Sequence, residues 1–336
     1  MRNLSAGRCY ESYVCRTLAI PRVPSDARIA QFLRDGFVKI AGAFPRGAAD
    51  EGRATLWRDT GCEPDDPTTW TKPVIRLGLY GQAPFAQAAI TPILHHASDQ
   101  PVGRGRWLPR LTPRDLSPPF PPPDDPGDAG WHIDVSFAPE AADPNDFLAW
   151  CANVTSKGRA LLLLLFSDVG EDEAPTRIRA GSHLDITGRL APAGEGGLSL
   201  RGLAANGFAE TAGRPAVLAT GEAGTVYLCH PFLVHAAQPH RGTRPRFMAQ
   251  PPLPPADPLV LEREDGDYSP VKHAIRNALR DVPQRTNIRL CSHSISACLL
   301  PRPSRSSSGL LATERVLREK FKALLPAITN TCKEKQ

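Results

Sequence analysis

The chain has 336 residues, of which 41% are hydrophobic and 22% charged, and it contains 35 prolines. Apolar segments recur along its whole length, so the composition predicts a globular protein with a sizeable core and excludes a wholly disordered chain. The formal net charge is +5, but residues 281–336 alone carry 10 Lys and Arg against 4 Asp and Glu, or +6. The main body therefore has a net charge of 5 − 6 = −1, which argues against a nucleic-acid-binding or membrane-binding surface there.

Cysteine usage and the chain start favour an intracellular, cytoplasmic protein. The eight cysteines include no C-x-x-C pair and no small secreted framework, so free thiols in a reducing compartment are expected. The longest strongly apolar run, residues 160–166, is too short to span a bilayer, and residues 1–22 lack the apolar segment of a secretory signal. That stretch holds four arginines and one acidic residue, so a transit peptide stays open as an alternative.

The N-terminal region predicts helices alternating with short strands. The apolar stripe of residues 26–35, between the N-cap Ser25 and the terminator Gly36, predicts a helix. The next elements predicted are a strand over 37–40, a helix from Pro45 to Asp59 and a strand over 74–77. Eight prolines then fall within residues 109–126, which predicts an extended loop that is either a lid beside a site or a stiff surface connector.

The second half of the chain predicts strands. Residues 159–166 read as a fully buried strand and residues 176–180 as a half-buried one. Two further strand candidates, 225–235 and 244–250, are joined by a turn-prone segment and predict a hairpin, and a helix opens at Pro270. We therefore expect a mainly β chain with flanking helices, organised as an N-terminal extension (1–23), one catalytic domain (24–280) and a basic C-terminal appendage (281–336).

The strand-like segment Gly130–Phe137 contains a His-x-Asp pair. Side chains two residues apart on a strand share a face, so His132 and Asp134 can converge on one ion. A third ligand from a distant strand would complete the two-His-one-carboxylate triad of non-haem Fe(II) oxygenases. A hydrogen-bonded pair on a solvated strand is the common alternative for so short a pattern.

Four histidines are candidates for that third ligand: His183, His230, His235 and His240. His235 is preferred because it closes an apolar strand and is followed eleven residues later by Arg246, whose guanidinium could bind a substrate acid on the metal. His230 would face the opposite side of the strand by parity. The remaining two histidines lie in or beside predicted turns.

The motifs in this order resemble those of the phytanoyl-CoA dioxygenase family of Fe(II)- and 2-oxoglutarate-dependent oxygenases. The matching segments begin at Gln31 (QFLRDGFV), Trp131 (WHID), Arg179 (RAGSH), His230 (HPFLVH) and Arg244 (RPRF). The resemblance implies a double-stranded β-helix, or jelly-roll, core of cupin-like type. It also implies that His132, Asp134 and His235 bind the metal and that Arg246 grips the far carboxylate of 2-oxoglutarate.

Further positions follow from the same resemblance. Trp150, eighteen residues after His132, matches a tryptophan that lines the co-substrate pocket, and Arg76 matches a basic residue that can reach 2-oxoglutarate. Alternatively, Trp150 is an ordinary core residue and Arg76 forms a surface salt bridge. Ile133 and Ala237 replace polar residues that some family members use near the co-substrate, so its other contacts differ here.

The activity implied is hydroxylation of a small organic substrate by O2, with decarboxylation of 2-oxoglutarate to succinate and CO2. Related halogenases lack the ligand carboxylate, so Asp134 favours hydroxylation. A zinc hydrolase would leave Arg246 without a purpose, and a non-catalytic cupin-like binding protein would not need the triad. Neither a nucleic-acid partner nor a membrane span is expected, and the substrate and the oligomeric state are beyond a single sequence.

Overall fold

A computed structural model describes residues 26–108, 129–140, 142–143, 145–155 and 160–281. The helices are α1 (Asp26–Asp35), α2 (Arg46–Thr60), α3 (Ala83–Ala89), α4 (Pro92–Val102), α5 (Ser182–Leu190), α6 (Leu200–Ala204) and α7 (Pro270–Asp281). The strands are β1 (Phe37–Ile40), β2 (Cys151–Ala152), β3 (Ala160–Leu165), β4 (Arg177–Arg179), β5 (Leu198–Ser199), β6 (Ala216–Leu218), β7 (Val226–Cys229), β8 (His235–Ala236), β9 (Met248–Ala249) and β10 (Pro252–Leu253). Short 3-10 helices cover Pro67–Thr69, Phe147–Ala149, Ala191–Gly196 and Ala209–Thr211.

The secondary-structure content corrects the expectation of a mainly β chain. Within the described residues, helix accounts for 37% and strand for 16%. The strands are antiparallel, but most of them are only two to four residues long. Apolar runs that read as continuous strands in the sequence are interrupted by turns, whereas the helices keep their full length.

The larger sheet is built around the leucine run of β3. Its strand order is β1-β7-β3-β10, with β9 also paired to β3, and every pairing is antiparallel. Both faces of β3 are buried: Leu162 and Leu164 belong to one apolar cluster, and Leu163 and Leu165 to another. A strand covered on both sides has no polar face, which explains why its sequence is uniformly apolar rather than alternating.

The two clusters show what covers each face of this sheet. The larger cluster joins β3 and β7 to the helices, for example through Phe32 on α1, Leu56 on α2 and Phe85 on α3. The smaller cluster joins Leu163 on β3 and Tyr227 on β7 to residues of a second sheet, among them Ile178. The larger sheet therefore lies between a helical layer and a second sheet.

That second sheet has three strands in the order β6-β4-β8. Ile178 on β4 is paired with His235 on β8, and His235 forms an isolated antiparallel bridge with His132 on its other side. Because residues directly opposite each other on antiparallel strands point to the same face, His132, His235 and Ile178 lie on the face that looks toward the larger sheet.

The predicted hairpin between 225–235 and 244–250 is wrong. The first segment breaks after Cys229, where His230 and Pro231 start a turn closed by a hydrogen bond from the Leu233 amide to the His230 carbonyl. Its first part, β7, pairs with β1 and β3, while its second part, β8, pairs with β4 in the other sheet. Residues 248–249 pair with β3. A proline cannot continue the hydrogen-bonded ladder, so the chain changes sheets here.

Several other predictions are confirmed. The helix over 26–35, the strand over 37–40, the buried leucine strand and the helix opening at Pro270 all occur. Helix α2 has Pro45 as its N-cap and ends at Gly61, whose φ of 69° suits the left-handed cap. Residues 74–77 form single bridges instead of a strand.

Some expectations concern residues outside the described ranges. These are the N-terminal extension, the N-cap Ser25, the proline-rich loop over 109–126 and the basic appendage beyond Asp281. The described cysteines, Cys62, Cys151 and Cys229, are buried free thiols. None of the helices in the described ranges has the length and hydrophobicity that a membrane crossing requires.

Candidate active site

The structure brings together two of the predicted metal ligands, His132 and His235. Each backbone amide donates a 2.9 Å hydrogen bond to the carbonyl of the other residue. Their imidazole rings lie with centroids 4.3 Å apart and planes inclined at 60°. Two side chains from distant parts of the chain thus form one compact pair of nitrogen donors.

Hydrogen bonds fix the same tautomer in both rings. The Nδ1 of His132 donates to the Gly130 carbonyl and the Nδ1 of His235 to the Leu233 carbonyl, each at 3.0 Å. The lone pair of each ring is then carried by Nε2, as in metal-binding histidines whose other nitrogen is held by a carbonyl. Burial lowers the pKa of His235, so this ring is neutral near pH 7, as a metal ligand must be.

Asp134 lies two residues beyond His132, in a segment that the sequence predicted as strand-like and that forms only isolated bridges, at His132 and at Phe137. Its negative charge acts on the buried thiol of Cys229, whose pKa is raised first by burial and second by this carboxylate. Cys229 belongs to the cluster between the two sheets, so the carboxylate lies close to that interior. Among the described residues, no group of three His, Cys, Asp or Glu side chains is arranged to hold a metal ion. The structure thus pairs the histidines and leaves the carboxylate beside them, outside a closed three-ligand set.

The predicted co-substrate clamp, Arg246, is only 6% exposed. It lies two residues before Met248, which opens β9 and belongs to the cluster between the sheets. Arg244 has a 66% exposed side chain and pairs with Glu173 at 2.9 Å. Arg244 and Arg246 are two residues apart, and Arg246 is the one that lies in the interior.

Sequence reasoning missed a residue that holds Arg246 in place. The Nη1 of Arg246 donates to the carbonyl of Ala174. Ala174 has a φ of 50°, in the left-handed region that residues with a Cβ rarely adopt. Such a backbone conformation costs on the order of 1–3 kcal/mol and persists only when its surroundings enforce it. An alanine carries no sequence signal for this conformation, so only the structure could reveal it.

Two further predicted residues lie in different surroundings. Trp150 is half-buried, packs against the larger apolar cluster and has its ring centroid 5.8 Å from that of Phe147. This position is typical of ordinary core packing. Arg76 is exposed, in the segment that does not form a strand. The assignment of both residues to the co-substrate pocket stays a prediction.

The alternative ligands His230 and His183 are buried together, and their ring centroids are 4.8 Å apart. His230 Nδ1 accepts a hydrogen bond from the Phe232 amide, and His183 Nε2 donates to the Leu33 carbonyl at 3.2 Å. Gly36 passes so close to this pair that a Cβ there would lie 2.5 Å from His183 Nδ1. These histidines join α1, α5 and the end of β7 and serve packing. The fourth candidate, His240, bonds through Nε2 to the Arg244 carbonyl.

Comparisons with known proteins agree with the expected family. Residues 85–248 match the family model described as phytanoyl-CoA dioxygenase. Solved structures similar to this chain include HygX from Streptomyces hygroscopicus with nickel and 2-oxoglutarate bound, at 17% identity over 70% of this chain and 88% of that one, with a TM-score of 0.44. EctD from S. alaskensis with 2-oxoglutarate and 5-hydroxyectoine is similar at 18% identity, with coverages of 72% and 80% and a TM-score of 0.46. No curated protein matches the chain.

The family-model match contains all four residues expected to bind iron and 2-oxoglutarate: His132, Asp134, His235 and Arg246. It confirms the family and the enzyme class predicted from the sequence, an oxidoreductase with Fe(II), 2-oxoglutarate and O2 as cofactor and co-substrates. The individual roles of the residues stay predictions. The family model that matches residues 85–248 of this chain is that of phytanoyl-CoA dioxygenase, the family that the sequence motifs resemble.

Proposed function

We propose that this protein hydroxylates a small organic substrate and that His132, Asp134 and His235 hold its Fe(II). The observation that carries the proposal is the pair of histidine rings, 4.3 Å apart, each with Nδ1 bonded to a backbone carbonyl. Two neutral imidazoles and one carboxylate form the donor set that suits Fe(II) and leaves positions open for a co-substrate and O2. The donor set therefore fits the metal that the family uses.

Bound Fe(II) would supply the oxidation chemistry: 2-oxoglutarate, O2 and a substrate C–H bond give succinate, CO2 and a C–OH group. The contribution of this chain is to bind and orient. The Gly130 and Leu233 carbonyls hold the two imidazoles in one tautomer and one orientation. Asp134 supplies the negative charge that balances part of the metal's charge, and a carboxylate at this position favours hydroxylation over halide binding.

Arg246 is proposed to bind the far carboxylate of 2-oxoglutarate. A buried guanidinium is costly unless an anion or several acceptors satisfy it, and a carboxylate matches its planar pair of donors. The Ala174 carbonyl occupies Nη1 and so limits the directions in which the rest of the guanidinium can point. We infer that this contact orients the clamp before the co-substrate arrives.

The space between the sheets is proposed to exclude water from the reaction. Its described residues, including Leu163, Leu165, Ile178 and Met248, are almost fully buried and apolar. A dry surrounding strengthens the electrostatic interactions of the metal, the carboxylate and the guanidinium. It also limits loss of the oxidising equivalents to solvent.

The fold and its limits are part of the proposal. The two antiparallel sheets that enclose the smaller cluster are proposed as the two walls of a double-stranded β-helix. The oxygenase domain is proposed to span residues 24–280, with residues 281–336 outside the catalytic unit.

The direct test is an anaerobic titration of the metal-free, full-length protein with Fe(II), followed by addition of 2-oxoglutarate and O2. One Fe(II) per chain and formation of succinate are expected. Turnover should rise when the correct compound is added, so a panel of candidate metabolites screened for stimulated succinate formation would identify the substrate class. A protein that binds one metal ion and forms no succinate under any of these conditions would contradict the proposal.

A further inference from the structure

Arg177, on β4, joins the two chain segments that carry the histidine pair. Its Nη2 donates to the Ala129 carbonyl at 2.8 Å and to the Ala237 carbonyl at 2.9 Å. Ala129 lies three residues before His132, and Ala237 lies two residues after His235. A single guanidinium nitrogen thus ties together the backbone on either side of the proposed metal ligands.

The same guanidinium also packs on the residue next to His132. The Cζ of Arg177 lies 4.8 Å from the centroid of the Trp131 ring, and the Cζ of Arg179 lies 4.1 Å from it. Arg179 is itself anchored by hydrogen bonds of 2.8 Å to the Phe208 carbonyl and 2.6 Å to Thr211 Oγ1. The indole is therefore held by two cations whose own positions are set by backbone and hydroxyl acceptors.

Among the described residues, neither Arg177 nor Arg179 forms an ion pair with a carboxylate, and the Nε of Arg177 is buried without a hydrogen-bond partner. Burial lowers the pKa of both guanidinium groups; the charge of Arg241 lowers the pKa of Arg177 further, and the pKa of Arg179 is lowered by the charge of Arg177 and raised by that of Glu210. Two desolvated like charges oppose each other here, with a cation–π contact to the indole as compensation.

The backbone link between the histidines needs such support. His132 and His235 are joined by an isolated bridge of two hydrogen bonds, and β8 itself is two residues long. So short a ladder is marginal unless side chains hold it. Arg177 and Arg179 lie on the face of β4 opposite Ile178, so they act from behind the histidines and not from within the site.

We infer that Arg177 is a positioning residue that, with Trp131 and Arg179, holds His132 against His235 before any metal binds. The inference rests on the proposed function, because it assigns a purpose to the pairing of these two rings. A preformed pair of ligands binds metal more tightly, since the chain does not have to be ordered when the ion arrives. Loss of the Arg177 side chain should therefore weaken metal binding while leaving the rest of the fold in place.

The experiment compares full-length Arg177→Met, Arg177→Lys and Trp131→Phe with the unaltered protein. Arg276→Met is the control, because Arg276 on α7 also packs on an aromatic ring and donates to a backbone carbonyl: its Cζ lies 4.0 Å from the Tyr268 ring centroid and its Nη1 donates to the Leu261 carbonyl, beside an exposed ion pair with Glu262 at 3.1 Å. Co(II) affinity is measured by calorimetric titration of the metal-free protein, with the visible Co(II) absorption as a spectroscopic readout. Amide exchange at His132 and His235 is measured in the metal-free state, and melting temperature reports global stability.

We expect Arg177→Met to bind Co(II) at least ~10-fold more weakly and to exchange both amides faster, as loss of outer contacts to metal ligands typically costs 10–100-fold in affinity. Arg177→Lys should recover part of the affinity, because an ammonium donates to carbonyls but does not stack as a planar group. Trp131→Phe should fall between the two. Arg276→Met should change stability alone, with unaltered Co(II) affinity and amide exchange at the histidines.

Co(II) affinity and amide exchange equal to the unaltered protein in folded Arg177→Met would overturn the inference. The same holds if Arg276→Met weakens Co(II) as much as Arg177→Met, since the effect would then follow global stability. If Arg177→Met does not fold, Arg177→Lys and Trp131→Phe decide by the same measurements. If the unaltered protein binds no Co(II), the proposed function fails. Amide exchange in the metal-free variants then still tests whether Arg177 holds His132 against His235.

Discussion

The backbone amides of His132 and His235 each donate a hydrogen bond to the carbonyl of the other, which places their imidazoles side by side. If these rings are metal ligands, His132→Ala and His235→Ala should each weaken Fe(II) binding by more than the ~10–100-fold typical of outer-shell contacts and abolish succinate formation. His230→Ala should retain Fe(II) binding. Calorimetric titration of the metal-free variants checks this, and iron loss in His230→Ala with retention in His235→Ala would reverse the ligand assignment.

The carboxylate of Asp134 is expected to complete the ligand set, although no three ligand side chains are grouped to hold a metal ion among the described residues. Asp134→Ala should abolish iron-dependent turnover and leave the circular-dichroism spectrum and melting temperature close to those of the unaltered protein, because the residue is not part of an apolar cluster. Glu140→Ala, a change at an exposed carboxylate on the same segment, is the control. Normal turnover in Asp134→Ala would remove this residue from the site.

Arg246 and Arg244 differ in burial, and this difference yields a prediction about 2-oxoglutarate. Truncating a buried charged partner typically costs ~2–5 kcal/mol in binding, so Arg246→Ala should weaken 2-oxoglutarate at least ~10-fold and spare iron. Arg246→Lys should recover part of the affinity, because an ammonium lacks the planar fork. Arg244→Ala, which removes an exposed ion pair, is the control. If the 2-oxoglutarate requirement rises only in Arg244→Ala, then Arg244 and not Arg246 binds the far carboxylate of 2-oxoglutarate.

The buried pair His183 and His230 predicts a loss of stability in mild acid. Burial lowers the pKa of His183 from 6.5 to about 4, and the groups around it are His230, Arg214, Asp185 and Asp35. The unfolded chain therefore binds more protons than the folded one between these values, so the free energy of unfolding falls as the pH drops from 6.5 to about 4. For His183 alone the loss is ~3 kcal/mol.

Urea unfolding at several pH values between 4 and 7.5 measures this loss. His183→Gln should flatten the pH dependence of the unfolding free energy in that window, since an amide does not titrate there. His273→Gln, a change at an exposed histidine, should leave the dependence as it is. An unchanged slope in His183→Gln would show that other groups cause the acid sensitivity.

Residues 281–336 are predicted to be dispensable for catalysis. The motifs that resemble the family are complete by Phe247, and the family-model match ends at residue 248. A chain ending at residue 280 should form succinate at the same rate per folded molecule as the full-length protein. A soluble, folded truncation without turnover would show that the appendage contributes to the site.

The sequence by itself determined the residue types of the proposed site and their local geometry. Side chains repeat every two residues along a strand, so the sequence predicted that His132 and Asp134 would lie on one face. The same short-range logic predicted the buried leucine strand and the start of α2 at Pro45, and the eleven-residue offset from His235 pointed to Arg246, which is buried. These features depend on neighbours within a few residues, and the pattern of apolar and polar positions records them directly.

Only the tertiary structure decided which segments meet. The break at His230 and Pro231 sends β7 and β8 into different sheets, so His235 pairs with Ile178 and His132 and not with residues 244–250. The left-handed backbone conformation of Ala174 and the packing of Arg177 on the Trp131 ring likewise arise from contacts between distant parts of the chain. Which distant segments pair depends on the balance between loop-closure entropy and long-range packing. The hydrophobic periodicity of each segment does not predict this choice.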